Sequence, residues 1–192
     1  MPDDGKDLNM SDTTVLVLLG SLRAASINRQ LAELAIESAP EGVELKLFDR
    51  LGEVPFYNED IDVDTPDQPL AEPVAALRRA AAEADAALVV TPEYNGSVPG
   101  VLKNAIDWLS RPYGDGALKG KPAAVIGTSL GRYGGVWAHD ETRKTLGIAG
   151  VRVLEDLKLS VQSTVFDDRH PRENADVAAS VRDIVGKLAA EA

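Results

Sequence analysis

The chain has 192 residues, a net charge of −11 and no cysteine, and these properties exclude several kinds of protein. A chain of this length fits one domain and buries about 70% of the surface of its unfolded form, so it needs no disulfide or metal to fold. The lack of cysteine excludes disulfides, thiolate metal sites and cysteine nucleophiles. Strong negative charge without a basic cluster argues against nucleic acid or an anionic membrane as a partner.

The N-terminal segment, residues 1–12, is polar and acidic. It lacks the basic start and apolar core of a signal peptide, and no apolar run in the chain approaches the ~18 residues of a membrane span. We therefore expect a disordered leader over residues 1–12, one domain over residues 13–192, and a cytoplasmic protein. Two histidines are too few for a histidine-rich metal site, so we predict no metal and interpret His139 and His170 as ordinary surface or loop residues.

Apolar patterns predict strands and helices that alternate along the chain. Apolar segments indicate strands at 15–19, 86–90, 123–127 and 151–154, the last with an extension at 157–161, and alternating apolar and polar residues indicate a strand nearer the edge at 43–48. Apolar residues at helical spacing indicate a helix after each strand, the fourth ending at Gly147. Residues 50–68 are rich in Asp and Pro and are predicted to form a loop. This alternation favours a doubly wound parallel sheet of strand order 2-1-3-4-5.

Three loops of unusual composition follow the first, third and fourth predicted strands, at residues 20–28, 92–99 and 128–135. In the predicted strand order these three strands are neighbours. Open α/β sheets bind ligands beyond the carboxyl ends of such strands, where the chain order reverses. The three loops therefore predict one composite ligand site.

The first of these loops has the composition of a phosphate-binding loop. Ser21, Ser26 and Asn28 offer side-chain donors, Arg23 offers positive charge, and the following helix offers free amides and the positive end of its dipole. The loop lacks both the dinucleotide glycine fingerprint and a P-loop ending, which favours a monophosphate bound without magnesium. The alternative is that Ser26 or Asn28 only caps the first helix.

The other two loops expose backbone to a ligand. The second reads Pro-Glu-Tyr-Asn-Gly-Ser-Val-Pro and presents amides and one aromatic ring at the end of a strand. The third reads Thr-Ser-Leu-Gly-Arg-Tyr-Gly-Gly, whose glycines allow close approach to a planar ligand; a flexible glycine turn is the alternative. On the helix after the second loop, we interpret Lys103, Asn104 and Asp107 as structural and Trp108 as a packing or interface residue.

The three loops resemble the signature of the NAD(P)H-dependent FMN reductases, which are flavodoxin-like quinone, chromate and azo reductases. The matching segments are Gly-Ser-Leu-Arg followed by Ser-x-Asn, then Pro-Glu-Tyr-Asn, then Thr-Ser-x-Gly-x-x-Gly-Gly, and the resemblance covers about residues 13–165. It implies a flavodoxin-like α/β fold with a five-stranded sheet. It also implies FMN as cofactor, contacted by Ser21, Arg23, Ser26, Ile27, Asn28, Pro92, Glu93, Tyr94, Asn95, Gly96, Ser129 and Gly131.

The resemblance further implies an enzyme that passes electrons from NADPH or NADH through FMN to a small-molecule acceptor. The acceptor would be a quinone, an azo compound, a metal oxyanion or free flavin. No side chain is an evident acid or base, so we predict no catalytic residue. Glu93 is either a flavin contact or a solvated loop carboxylate. Many relatives carry an aromatic residue where this chain has Gly96, which leaves the stacking partner open.

Two other functions remain open at this point. The first is a flavodoxin-type electron carrier without its own NAD(P)H turnover, whose acidic surface would suit a basic redox partner. Against it, the first loop lacks the threonine-rich phosphate motif of flavodoxins. The second is a scaffold that has lost its flavin, against which the intact set of donors argues.

The aromatic residues suggest self-association. The chain has two tryptophans, four tyrosines and three phenylalanines, and Trp108, Tyr113, Tyr133 and Trp137 fall near one end of the predicted sheet. Aromatic residues are enriched at the centres of interfaces, and relatives in the resembling family are typically dimers or tetramers. We therefore predict a homodimer or homotetramer in which a neighbour helps to close the substrate cavity. The alternative is that these rings belong to the core or to a mobile lid.

Overall fold

Apolar segments of the chain form one parallel sheet within residues 13–192, the part that the computed structural model describes. The strands are β1 (Thr13–Leu19), β2 (Val43–Phe48), β3 (Ala86–Val90), β4 (Pro122–Ser129) and β5 (Arg152–Gln162). Their order is β2-β1-β3-β4-β5, with every neighbouring pair parallel. This confirms the predicted α/β fold and strand order. The leader predicted for residues 1–12 lies outside the described residues.

Helices cover both faces of the sheet. They are α1 (Ile27–Glu37), α2 (Glu72–Glu83), α3 (Gly100–Leu109), α4 (Val136–Ile148) and α5 (Ala175–Ala190). The interior strand β1 is buried on both sides, with Val15 and Val17 packed in the layer of α1 and α5. Leu16 and Leu18 face the opposite layer, which contains α2 and α3. No helix within residues 13–192 combines the length and the apolar character needed to span a membrane.

Three segments differ from the sequence-based expectation. The fifth strand is continuous from Arg152 to Gln162, because a bulge opposite Ala123 and Val125 absorbs the polar residues between its two apolar parts. The expected loop at 50–68 contains two short 3-10 helices, Leu51–Glu53 and Glu59–Ile61. Helix α4 ends at Ile148, one residue beyond the predicted end.

Trp108 is buried in the core, with 1% of its surface exposed. Its indole N–H donates to the Pro55 carbonyl at 2.7 Å, and its ring packs edge-on against Tyr57 with centroids 4.9 Å apart. Asn104, one turn earlier, donates to the same carbonyl at 2.9 Å and accepts from the Tyr57 amide at 2.8 Å. The structural role predicted for these two residues is confirmed. The expectation that Trp108 adds to an interface is wrong, because residues 55–57 cover it within the chain.

Candidate functional site

The three loops predicted to form one site meet around a cavity of about 240 Å³, which we call the cofactor cavity. Every predicted site residue except Asn95, Gly96 and Gly131 lines it. Thr128, Leu130 and Ser163 also belong to the wall, although the sequence interpretation did not single them out. A Cβ added at Gly131 would lie 3.9 Å from both the Glu93 carboxylate and the Ser129 hydroxyl, so this glycine lies next to two residues of the wall.

Ser26 caps helix α1. Its hydroxyl oxygen accepts from the backbone N–H groups of Asn28 at 3.1 Å and Arg29 at 3.3 Å. The helix cap expected of Ser26 is therefore present, and it does not exclude a second role for this side chain. Both bonds use the oxygen as acceptor, so the hydroxyl proton remains a donor for a ligand in the cavity.

Asn28 joins the first loop to the third. Its side-chain amide donates to the Thr128 carbonyl at 2.9 Å, and its side-chain oxygen accepts from the Thr128 N–H at 2.9 Å. The two residues lie 100 positions apart in the chain, and both are buried. This two-bond bridge holds the carboxyl end of β4 against the start of α1, and it uses one of the two N–H donors of the Asn28 side chain.

Arg23 is the cation of the first loop that is free to bind an anion. It is exposed, and within residues 13–192 its guanidinium has no hydrogen bond or ion pair. The nearby Arg29 is already paired with Asp49 at 2.5 Å. Ser21 is buried beside it and accepts from the Arg23 backbone N–H at 3.4 Å.

The second loop carries a tight turn at its tip. Tyr94 and Ser97 exchange two backbone hydrogen bonds, of 3.1 and 3.0 Å. Between them, Asn95 (φ 53°) and Gly96 (φ 76°) are both left-handed, as a type I′ turn requires. A Cβ at Gly96 would lie 3.6 Å from the ring of Trp137 on α4. The ring of Trp137 on α4 therefore lies beside position 96, where many relatives carry an aromatic residue of their own.

Glu93 contacts a helix beyond its own loop. Helix α4 begins after Gly135, which has no side chain to cap it. The Glu93 carboxylate accepts from the Ala138 backbone N–H at 3.2 Å and so caps α4 from the neighbouring loop. Glu93 is therefore not a solvated loop carboxylate.

A second carboxylate, which the sequence interpretation missed, holds the other end of the same loop. Glu141 on α4 accepts from the Ser97 hydroxyl at 2.6 Å and from the Val98 N–H at 3.3 Å. These hydrogen bonds lower the pKa of Glu141. Helix α4 and the second loop therefore form one rigid unit, held at both ends by charge-assisted hydrogen bonds.

His139 is buried beneath the second loop, so the expectation of a surface or loop residue is wrong. Its Nε2 lies 2.9 Å from the Thr91 carbonyl, and its Nδ1 lies 2.6 Å from the Ser160 hydroxyl. A carbonyl can only accept, so Nε2–H donates to Thr91 and Nδ1 accepts from Ser160. Burial lowers the pKa of the imidazole and favours this neutral form. One sequence signal could have indicated this burial. His139 precedes Leu146 by seven residues, or two helical turns, so both lie on the buried face of α4.

Thr128 gives the cofactor cavity a buried hydroxyl without a partner. Its side chain is buried, and its Oγ1 makes no hydrogen bond within the described residues. Leaving a buried hydroxyl unpaired costs about 1–3 kcal/mol. A polar ligand in the cavity would offset this cost.

Comparison with known proteins agrees with the resemblance carried by the three loops. The family model for NADPH-dependent FMN reductase matches residues 13–165. A quinone reductase of Pseudomonas putida is 47% identical over 157 residues, which are 81% of this chain and 82% of that protein. A 2-hydroxy-1,4-benzoquinone reductase of a Burkholderia species is 45% identical over 152 residues, 79% of this chain and 76% of that protein.

A solved structure shares the fold over nearly the whole chain. It is FerB, a flavoenzyme NAD(P)H:(acceptor) oxidoreductase from Paracoccus denitrificans, with a TM-score of 0.77 and 34% identity. The match covers 93% of this chain and 98% of that chain. By its family model, its relatives and its fold, the chain belongs to the NADPH-dependent FMN reductase family.

Proposed function

We propose that the protein is an FMN-dependent NAD(P)H:quinone oxidoreductase. The observation that carries this proposal is the meeting of three separate loops, each matching the family signature, around one polar cavity. In the overall reaction, NAD(P)H, one proton and a quinone become NAD(P)⁺ and a hydroquinone. FMN supplies the redox chemistry, since it takes two electrons from a nicotinamide and returns them to an acceptor.

The residues of the cofactor cavity fit the phosphate and polyol of FMN. Arg23 provides a guanidinium that no group of residues 13–192 pairs with, and Ser21 and Ser26 provide hydroxyl donors at the start of α1. Thr128 provides a buried hydroxyl that has no hydrogen-bond partner in the described part of the chain. At about 240 Å³ the cavity is smaller than the roughly 300–1,000 Å³ of pockets that enclose a whole ligand. It would therefore hold the phosphate and ribityl chain, with the ring extending toward the second and third loops.

The protein positions the flavin and lets substrates reach it. The turn at residues 94–97 and its two carboxylate contacts to α4 keep the backbone amides of the second loop in place. Since the Glu93 carboxylate already caps α4, we assign it a positioning role. We assign no side chain of the wall to proton transfer, and the lack of a catalytic residue stays a prediction.

Quinones are the acceptors that the relatives favour, since two proteins at 47% and 45% identity are named for quinone reduction. Azo compounds, metal oxyanions and free flavin remain predictions for this chain, as do the preference between NADH and NADPH and the cytoplasmic location. The same relatives argue against a flavodoxin-type carrier, and the complete donor set argues against a scaffold without flavin.

We also propose that the protein is a homodimer or homotetramer. Tyr113 is 91% exposed, and the half-exposed rings of Tyr133 and Trp137 lie 5.5 Å apart. Exposed aromatic side chains near a ligand site are typical of interface centres. A cavity of about 520 Å³ between α3 and α4, beside Tyr113 and the exposed Ile148, adds to this surface.

The proposal is tested by the absorbance spectrum of the purified protein and by steady-state turnover. We expect a yellow protein whose heat-released cofactor elutes with FMN, and whose oxidation of NADH or NADPH depends on added menadione. A colourless protein that does not bind added FMN would contradict the proposal. FMN binding without NAD(P)H oxidation would instead support the electron carrier.

A further inference from the structure

A second cavity of about 400 Å³ lies beside the cofactor cavity, and we call it the lateral cavity. Its wall comes from three places: Leu22 and Arg23 in the first loop, Phe56 after β2, and Tyr94 with Gly100 around the start of α3. Arg23 and Tyr94 belong to the walls of both cavities. The lateral cavity is therefore directly next to the place where FMN would bind.

The wall of the lateral cavity is made of apolar side chains that the chain leaves uncovered. Phe56 is 84% exposed, Leu22 58% and Tyr94 48%. They come from three different loops, yet they converge on one opening. Exposed apolar surface that gathers in one patch marks a binding site more often than isolated exposed residues do.

The charge of the wall limits which ligand fits. Among residues 13–192 its lining includes no carboxylate, and the one cation in that lining, Arg23, is the residue that we assign to the FMN phosphate. A charged acceptor such as a metal oxyanion would lose its hydration there without gaining partners. A neutral, planar ring would gain from the same apolar surface. The volume also lies in the range of roughly 300–1,000 Å³ that is usual for small-molecule pockets.

We propose that the lateral cavity receives the ring system of a neutral quinone, and that Leu22, Phe56 and Tyr94 set the preference for such acceptors over charged ones. The inference rests on the proposed function and adds the place of the acceptor to it.

Gly100 offers a way to fill this cavity. It is the first residue of α3, it lines the lateral cavity, and a Cβ added there would meet no atom within 4 Å. In Gly100→Leu the new side chain should project into the cavity without displacing the backbone. Gly186→Leu is the matched control, because Gly186 on α5 also has open space at its Cβ but lies outside both cavities.

The measurement compares two acceptors in the holoenzyme. Menadione tests the apolar cavity, and ferricyanide, a small anion that accepts single electrons, serves as the internal reference. We expect Gly100→Leu to lower kcat/KM for menadione about tenfold or more, since hydrophobic pockets discriminate by this factor on the addition or loss of small groups. In this variant the KM for NAD(P)H, the Kd for FMN and the rate with ferricyanide should change by less than about twofold, which is the size of effect expected between sites that do not contact each other. In Gly186→Leu every one of these parameters, including kcat/KM for menadione, should stay within the same limit.

Phe56→Ala gives a second, independent variant. Its side chain is almost fully exposed, so truncation removes little packing from the fold. We expect a higher KM for menadione. Equilibrium dialysis of menadione against the oxidised holoenzyme, without NAD(P)H, should show weaker binding in both Phe56→Ala and Gly100→Leu.

The outcomes separate this inference from the proposed function. Unchanged menadione kinetics and binding in both variants would overturn the inference and leave the reductase intact. A raised Kd for FMN would show that the lateral cavity holds part of the cofactor. A rise in the KM for NAD(P)H that parallels the one for menadione would assign the lateral cavity to the nicotinamide. Either result would also overturn the inference. Menadione binding that responds to the variants in a protein without turnover would support the cavity while the proposed function fails.

Discussion

The carboxylate of Glu93 accepts a hydrogen bond from the backbone N–H of Ala138 at 3.2 Å. This contact joins the loop after β3 to the first turn of α4, where Gly135 provides no cap of its own. A residue of the signature Pro-Glu-Tyr-Asn thus has a structural purpose that needs no contact with the flavin. The Glu93 carboxylate is bound to the backbone of α4, and this contact holds the loop in place where it lines the cofactor cavity.

Replacing Glu93 should therefore loosen the loop. Glu93→Ala should lower the free energy of unfolding by about 1 kcal/mol, as loss of a helix cap does, and should weaken FMN binding because the loop loses its position. Glu93→Gln keeps an acceptor oxygen and should retain most of both. Urea unfolding and FMN titration would measure the two effects. Equal FMN affinity in all three proteins would show that the cap does not matter for the site.

Arg23 should matter for FMN and not for folding. A charge-assisted hydrogen bond contributes about 1.5–3 kcal/mol, so Arg23→Ala should raise the Kd for FMN roughly ten- to a hundredfold. Its guanidinium has no partner within the described residues, so the free energy of unfolding of the apoprotein should not change. Arg182→Ala, on the exposed face of α5, is the control for lost charge. An unchanged Kd would remove Arg23 from the site.

Thr128 should show opposite effects on stability and on binding. Thr128→Val removes a buried hydroxyl that has no partner, so the apoprotein should gain about 1 kcal/mol in the free energy of unfolding. FMN binding should weaken about fivefold, which corresponds to the loss of one neutral hydrogen bond. Thr142→Val is the matched control, since its buried hydroxyl donates to the Ala138 carbonyl at 2.7 Å and lies outside the cavity. A destabilised Thr128→Val apoprotein would mean that the hydroxyl is already satisfied.

His139 should make stability depend on pH. Burial lowers the pKa of its imidazole in the folded protein below the usual value of about 6.5. Between these two values the unfolded chain binds more protons than the folded protein, so stability rises with pH. Its contribution is therefore fully present above about pH 6.5 and is lost as the pH falls toward the lower pKa of the folded state. Charged groups on the same helix and loop (Arg143, Asp140 and Glu93) modify this pKa and stay in place in the test.

Urea unfolding at the pKa of a free imidazole and at several lower pH values would measure this effect. In His139→Gln the part of the pH dependence that comes from this imidazole should disappear, whereas His170→Gln, at a partly exposed position, should keep it. The same slope in His139→Gln and in the unmodified protein would contradict the prediction.

The exposed aromatic rings should support self-association. Light scattering at micromolar concentration should report at least twice the 20.4 kDa of one chain. Replacing Tyr133 and Trp137 together by serine should reduce that mass, because the pair presents contiguous apolar surface. Val165→Ser, which removes an exposed apolar side chain outside the cofactor and lateral cavities, is the control. A fully active particle with the mass of a single chain would refute the oligomer.

The fold and the place of the site follow from the sequence by itself. Strands buried on both faces need continuous apolar runs, such as Val15–Leu19, and the alternation with helical patterns leaves few ways to arrange a parallel sheet. The loops after β1, β3 and β4 then meet at one edge, so residues as far apart as Arg23 and Ser129 could be assigned to one cavity in advance.

Only the tertiary structure decided which role each side chain has. Asn28 bonds Thr128, Glu93 caps α4, and His139 bonds Thr91 and Ser160. Each of these partners lies on another element, 21 to 100 positions away in the chain. A local pattern reports whether a side chain can donate, accept or pack. The partner that a side chain reaches depends on how helices, strands and loops far apart in the sequence pack together, and neighbouring residues do not determine this packing. The same packing buries Trp108 and leaves Phe56 exposed.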